Sequence, residues 1–353
     1  MFAFTTTTMQ TTAFHISTRW TERILPILLV LCLFIATALG LYALFFLRAM
    51  LVAERGNELA MNAAAVADTV DRVLFERYGD IQLFANDGVI REGTTNEKTA
   101  RLLHYNRLYW YYSWLGITDA DGTVLAATDM GAAPGASLIN PTAFDAVRQS
   151  GSIQLVPVFT SAESQPRKAV GFMAPIYGPG REFRGVVASL VPIENLRSIF
   201  EQEGRLRYGQ DTYDWVLLTR DGAIISEKQA SADKTSGPAL LQIPSQARAA
   251  SDRNHSGFIE EVHHRRGYSV VTGYASTRGY RDFPGFDWIV LFRQTHDQVY
   301  APVDRLLWTV GGIGLLVILP LTGFGILGSG KLGRERTELV TTRQELEKSG
   351  SGL

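Results

Sequence analysis

Residue types able to do chemistry fall in three places along this chain. Glu260, Glu261, His263 and His264, with His255 nearby, are metal-ligand types. Adjacent His263 and His264 point to opposite faces of a strand, so they reach one ion only across a bulge. Zinc or copper is therefore a minor reading, and no metal or cofactor is expected. Asp119-Ala120-Asp121-Gly122 has the first residues of a calcium loop but lacks the third acidic position and the distal bidentate Glu, so a turn is expected there. The third place is aromatic: Tyr109, Trp110, Tyr111, Tyr112 and Trp114, with Phe159, Phe172 and Tyr177 further on. A tyrosine-rich wall supplies the apolar body and the few polar tips that small-molecule pockets use. Tyr109, Tyr111, Tyr112, Trp114, Phe159, Phe172 and Tyr177 are the candidate ligand-binding residues. The competing reading is that alternate members of the run fill the core. Arg107, Arg167 and Lys168 would suit an anionic ligand unless they are solvated loop charges.

Composition excludes several classes. A net charge of −1 over 353 residues leaves no electrostatic footprint for nucleic acid. The single cysteine, Cys32, lies in an apolar run, so no disulfide framework or thiol metal cluster exists. No Gly-rich phosphate loop, Gly-x-Ser-x-Gly or His-Glu-x-x-His occurs, and enzyme chemistry within this chain has no motif behind it.

The elements that must position these residues can be read from pattern. Trp114 to Leu125 and Trp215 to Ile225 are near copies, each an apolar run, an Asp-Gly and a second apolar run. Each predicts a β-hairpin. Strands are predicted at 153–159, 169–176 and 185–191 after the first copy, and at 257–262, 268–276 and 287–293 after the second. Helices are predicted at 142–149, 192–200 and 238–250. Residues 87–99 read as a polar interval. Before both copies, Leu51, Leu59, Ala63, Val66, Val70, Val73, Leu74, Ile81 and Phe84 recur at helical spacing, predicting one long helix over 48–86.

Two uncharged apolar blocks flank this region, at 24–47 and 306–329, each long enough to cross a bilayer as a helix. A cleaved signal peptide is the competing reading of the first. Lys331, Arg334, Arg336, Arg343 and Lys348 follow the second block and place both termini in the cytoplasm. Leu332, Leu339 and Leu346 stand seven apart, which suggests the start of a coiled coil. The expected organisation is a tail (1–23), a membrane helix (24–47), an extracytoplasmic domain (48–305), a second membrane helix (306–329) and a cytoplasmic coiled-coil start (330–353). Within the domain, the helix 48–86 is followed by a distal subdomain (87–200) and a proximal one (211–297).

Ile117 to Leu125, then Ala174-Pro175-Ile176-Tyr177, Gly185 to Leu196, and Asp287-Trp288-Ile289-Val290-Leu291, in that order between two membrane helices, resemble the double Cache sensor family. That family supplies extracytoplasmic ligand-binding domains to bacterial histidine kinases, chemoreceptors and diguanylate cyclases. The resemblance covers about residues 50–305 and implies an α+β fold: a long N-terminal helix carrying two PAS-like antiparallel-sheet subdomains, with ligand in the distal one. In the family's amino-acid-binding branch an Arg, a Trp and a Tyr grip the carboxylate and an Asp pairs with the amine. Here those positions hold Asn140, Thr142 and Ala143, and Leu190. A zwitterion without charged partners loses its charge-assisted hydrogen bonds, so an ordinary α-amino acid is not the expected ligand.

The sequence thus predicts a homodimeric bacterial inner-membrane receptor that senses a small extracytoplasmic ligand. Its output, a histidine kinase or diguanylate cyclase, is absent from this chain or carried by another. The alternative is a membrane-anchored interaction protein without an output of its own.

Overall fold

The computed structural model describes residues 18–129, 140–160, 167–208, 212–228, 245–263 and 265–305, with 308, 309, 312 and 316. The chain divides into two compact units, Met1–Leu51 and Val52–Leu353. In the first, the described residues belong to helix α1 (Thr18–Asn86), where Leu31, Ile35, Leu39, Tyr42, Phe45 and Phe46 are exposed. Among the described residues no helix is long and apolar enough to cross a membrane. The block 24–47 has only part of its side chains described, and all but four residues of 306–329 lie outside the described set.

In the second unit α1 carries the predicted apolar stripe. Leu59, Ala63, Val66, Val70, Leu74, Ile81 and Phe84 are buried, spaced three or four apart or in multiples of a turn, while Leu51 and Val73 are half-exposed. Residues 87–99 differ from the expected polar interval, because two local caps turn them into helix. Asp87 accepts from the Val89 and Ile90 N–H groups at the start of α2 (Gly88–Glu92). Thr94 and Glu97 form a reciprocal capping box that opens α3 (Thr95–Leu108).

Two five-stranded antiparallel sheets follow. The distal sheet holds β1 (Trp114–Thr118), β2 (Val124–Ala127), β3 (Gln154–Thr160), β4 (Lys168–Tyr177) and β5 (Phe183–Pro192), in the order β2-β1-β5-β4-β3. The proximal sheet holds β6 (Asp214–Leu218), β7 (Ile224–Glu227), β8 (Ser256–Val262), β9 (Ser269–Ser276) and β10 (Ile289–Thr295), in the order β7-β6-β10-β9-β8. The orders are the same, so the repeat is structural. Helix α4 (Pro141–Ser150) lies over β3 to β5, and α6 (Gln246–Ser251) over β8 to β10. Between the sheets runs α5 (Glu194–Tyr208), whose Phe200 stacks on Trp215 at 4.5 Å.

The opposite face of the proximal sheet meets α1. At Gly273 of β9 a Cβ would stand 2.3 Å from the Leu59 carbonyl carbon, so only glycine lets the helix backbone approach so closely there. The connection 277–288 between β9 and β10 is tied back to α1. Asp71 Oδ2 accepts from the Arg278 and Gly279 N–H groups at 2.7 and 3.0 Å, and Tyr280 and Phe283 pack on Phe75 and Tyr78.

Candidate functional site

The face of the distal sheet beneath α4 is floored with small residues. Gly116, Ala127, Ala169, Gly171 and Ala188 share it with Val156, Met173 and Leu190. Strand alternation places them together, since residues two apart point the same way. Trp114 lies flat across this floor: a Cβ at Gly116 would come within 2.1 Å of its indole. From above, α4 contributes Phe144 and Val147, and Asn140 begins that helix by accepting from the Ala143 N–H at 3.0 Å. Half-buried Phe159 and Phe183 pack against the cluster. Phe183 meets Phe144 and Tyr177 edge-on, with centroids 6.0 and 6.3 Å apart.

The seven predicted ligand residues therefore separate. Trp114, Phe159 and Tyr177 share the α4 face. Tyr109, Tyr111 and Tyr112 wrap α1 instead, because 109–113 is a helix cap and turn rather than a strand. The Tyr112 hydroxyl donates to Asp80 Oδ2 at 2.8 Å, and the buried Arg77 guanidinium lies 4.7 Å above the Tyr111 ring and 3.2 Å from Asp80. Burial and the Asp80 charge push the Tyr112 hydroxyl far above its ordinary pKa. Tyr109 stands edge-on to Phe84 at 5.8 Å. Phe172 is fully buried on the α1 side of β4, near Phe283 and Phe286 of the 277–288 connection.

Nearby polar groups brace the helices. The Tyr105 hydroxyl donates to Asp87 at 2.5 Å, and burial together with that bond pushes its pKa up to about 12. Burial alone would raise the Asp87 pKa, but the Tyr105 hydroxyl, two backbone N–H groups and Arg101 outweigh it and hold the carboxyl below its usual value. Lys168 donates to the Ile224 and Ile225 carbonyls, which spends it on joining the two sheets. The Asp119 turn is closed by its own carboxylate, which accepts from the Asp121 and Thr123 N–H groups.

The equivalent face of the proximal sheet is built differently. Glu261 and Arg293 are buried there, 3.3 Å apart, with Thr272 and Ser245. His263 is buried with Nε2 3.8 Å from Asp214. Glu260 faces away and pairs with His296 at 3.1 Å. His264 lies outside the described residues. Sequence reasoning grouped Glu261 with the histidines and missed Arg293. Strand alternation applied to 287–293 would have placed Arg293 with Leu291 and Ile289, on the buried face. Two cavities of about 300 and 240 Å³ flank the 277–288 connection and share His255, Ser276 and Arg278.

No protein-family model matches the chain, and no curated protein matches it in sequence. Solved structures do match. The periplasmic sensory domain of the Campylobacter jejuni chemoreceptor Tlp1 superposes with a TM-score of 0.55 at 14% identity, covering 71% of this chain and 99% of that one. The ligand-binding domain of the Pseudomonas aeruginosa amino acid chemoreceptor PctB, in complex with L-Arg, gives 0.51 at 20% identity, covering 70% and 98%. An extracellular ligand binding receptor from Desulfohalobium retbaense also gives 0.51, at 14% identity over 67% of this chain, which spans only 40% of that receptor's length.

The fold is a double Cache sensor fold. Its long helix and two antiparallel sheets agree with the α+β architecture expected from the sequence. One expectation is corrected. An ordinary α-amino acid was not the expected ligand, yet the similar ligand-binding domain of PctB is in complex with L-Arg in one structure and with L-Gln in another. The inference failed because other groups can grip a zwitterion: backbone N–H or hydroxyl donors hold its carboxylate, and carbonyl or hydroxyl oxygens hold its ammonium. Residue types at 140, 142, 143 and 190 do not decide a ligand class.

Proposed function

We propose that this protein is a transmembrane receptor whose extracytoplasmic double Cache domain senses a small ligand on the α4 face of the distal sheet. The observation that carries this reading is the match, over 98–99% of their length, to the sensory domains of Tlp1 and PctB. Trp114, Phe159 and Tyr177 form the ligand wall over the small-residue floor, and the ligand is an amino acid or a close relative, as in PctB. The blocks 24–47 and 306–329 anchor the protein in the bacterial inner membrane as a homodimer with both termini cytoplasmic. The exposed Leu31, Ile35, Leu39, Phe45 and Phe46 along α1 support the first anchor, since contiguous exposed apolar surface needs cover. Output passes to a cytoplasmic kinase or cyclase domain.

Thermal-shift screening of the full chain in detergent against the L-amino acids and γ-aminobutyrate tests the reading. A saturable stabilisation that is lost in Phe159→Ala is the expected result. A panel in which no compound shifts the midpoint, or a hit indifferent to Phe159 and Tyr177, overturns it.

A further inference from the structure

We infer that the proximal subdomain contains a carboxylate-binding site whose occupant is the protein's own Glu261. The two sheets can be matched residue by residue from their pairing. In the distal sheet Trp114 pairs with Leu190 and Leu190 with Gly171, while Phe159, beyond a bulge in β3, pairs with Ala169, two residues before Gly171. In the proximal sheet Asp214 pairs with Arg293 and Arg293 with Thr272, while Glu261 pairs with Val270, two residues before Thr272. Glu261 thus stands where the distal sheet has Phe159, and its carboxylate projects into the space beneath α6.

The groups around that carboxylate are the ones that would hold an external one. Thr272 Oγ1 donates to Oε1 at 2.8 Å, and the Arg293 guanidinium reaches the same oxygen at 3.3 Å. The Gln246 and Ala247 N–H groups donate to Oε2 at 2.8 and 3.3 Å, and the Ser245 hydroxyl lies 3.1 and 3.2 Å from the two oxygens. Both charged side chains are only 4% exposed. The Arg293 Nε is buried without a partner, so the site holds more donor capacity than Glu261 uses. Five donors converging on one dehydrated carboxylate describe a preorganised anion site. Because its occupant is covalently attached, the effective concentration keeps the site filled. Ligand-dependent change then arises in the distal sheet alone.

The side chain of glutamate beyond Cβ is the acetate skeleton. Glu261→Ala therefore empties the site of one carboxylate and one carbon. A free ion also needs van der Waals clearance from the alanine methyl, so formate fits best, acetate less well, and propionate not at all.

The test is a thermal melt of the full-length Glu261→Ala protein in formate, acetate, propionate, acetamide or chloride at matched ionic strength. Truncating one partner of a buried pair should lower the midpoint by about 10 °C. Formate should restore more than half of that loss saturably, and acetate should restore less. Wild type and Glu261→Gln, whose sites remain filled, should not respond. Formate acting no better than chloride overturns the inference, as does equal rescue of Glu261→Gln. Should Glu261→Ala be insoluble, the yield from lysis with formate against chloride becomes the measurement, and equal yields overturn it. The outcome does not depend on the distal ligand, so failure of that screen and failure of this test are distinguishable.

Discussion

The two sheets of this protein have the same strand order, with bulges in the distal pairings β3–β4 and β4–β5 that the proximal β8–β9 and β9–β10 lack, yet at four matched positions they carry opposite chemistry. Distal Trp114, Leu190, Gly171 and Phe159 face proximal Asp214, Arg293, Thr272 and Glu261 across the repeat. The distal set is apolar and leaves a small-residue floor beside aromatic side chains. The proximal set is polar, and Thr272 and Arg293 both bond the Glu261 carboxylate. The same backbone thus supports an apolar face and a face with a buried ion pair, and the choice lies in a handful of inward positions.

The largest effect should come from breaking the proximal set on one side only. Arg293→Leu copies the distal residue Leu190 into the proximal sheet, but it leaves the Glu261 carboxylate buried with neutral donors alone. A loss of about 3–5 kcal/mol is expected in chemical denaturation. Adding Glu261→Gln keeps an acceptor for the Gln246 and Ala247 N–H groups while removing the stranded charge, and should recover at least half. If the double variant is no more stable than Arg293→Leu, the two residues do not form one unit.

A smaller effect separates the faces that meet α1 from those that meet α4. A Cβ at Gly273 meets backbone, with the Leu59 carbonyl carbon at 2.3 Å and the Ala60 nitrogen at 2.4 Å. A Cβ at Gly116 meets only the Trp114 ring, at 2.1 Å. Side chains can yield where a helix backbone cannot. Gly273→Ala should cost about 2–3 kcal/mol and Gly116→Ala nearer 1 kcal/mol. Gly116→Ala should also weaken ligand binding, because the displaced indole intrudes on the floor. Equal costs for the two substitutions would remove the distinction between a packed helix contact and an adjustable pocket.

Much of this architecture is written in the sequence at short range. Asp-Gly dipeptides mark both hairpins, and the period of the long helix names its buried stripe. The match between the repeats is not written so plainly. Aligning by tryptophan pairs Trp114 with Trp215, but the first turn closes from Asp119 and the second from Thr219, one residue nearer its tryptophan. A one-residue slip sends a side chain to the other face. Trp114 therefore lies under α4, whereas Trp215 stacks on Phe200 of α5. The tyrosine run misled for a related reason: strand alternation does not govern a helix cap, so Tyr111 and Tyr112 turn to Arg77 and Asp80. Arg293 was overlooked because a charge near the end of a predicted strand reads as solvated, and its buried partner Glu261 is 32 residues away in sequence.

The smallest effects distinguish two aspartates that anchor α1 and its continuation, one to each half of the domain. Asp87, beside the distal helices, is held below its usual pKa. Its ionised form therefore favours the fold above the ordinary carboxylate range, and that contribution is lost as the pH falls through the native value. Asp71, at the proximal connection, is raised: burial outweighs the Arg278 and Gly279 N–H bonds, and Asp68 and Asp287 add repulsion. Its contribution is complete below the unfolded pKa and fades as the pH rises through the native value. Asp87→Asn should thus lower the melting midpoint at neutral pH and converge on wild type in acid. Asp71→Asn, whose amide oxygen can still accept from the connection, should match wild type in acid and equal or exceed it at neutral pH. Melting curves across the acid range that shift in the same direction for both variants would show that burial at Asp71 does not oppose its charge, and that both halves of the domain are tied down by the same electrostatics.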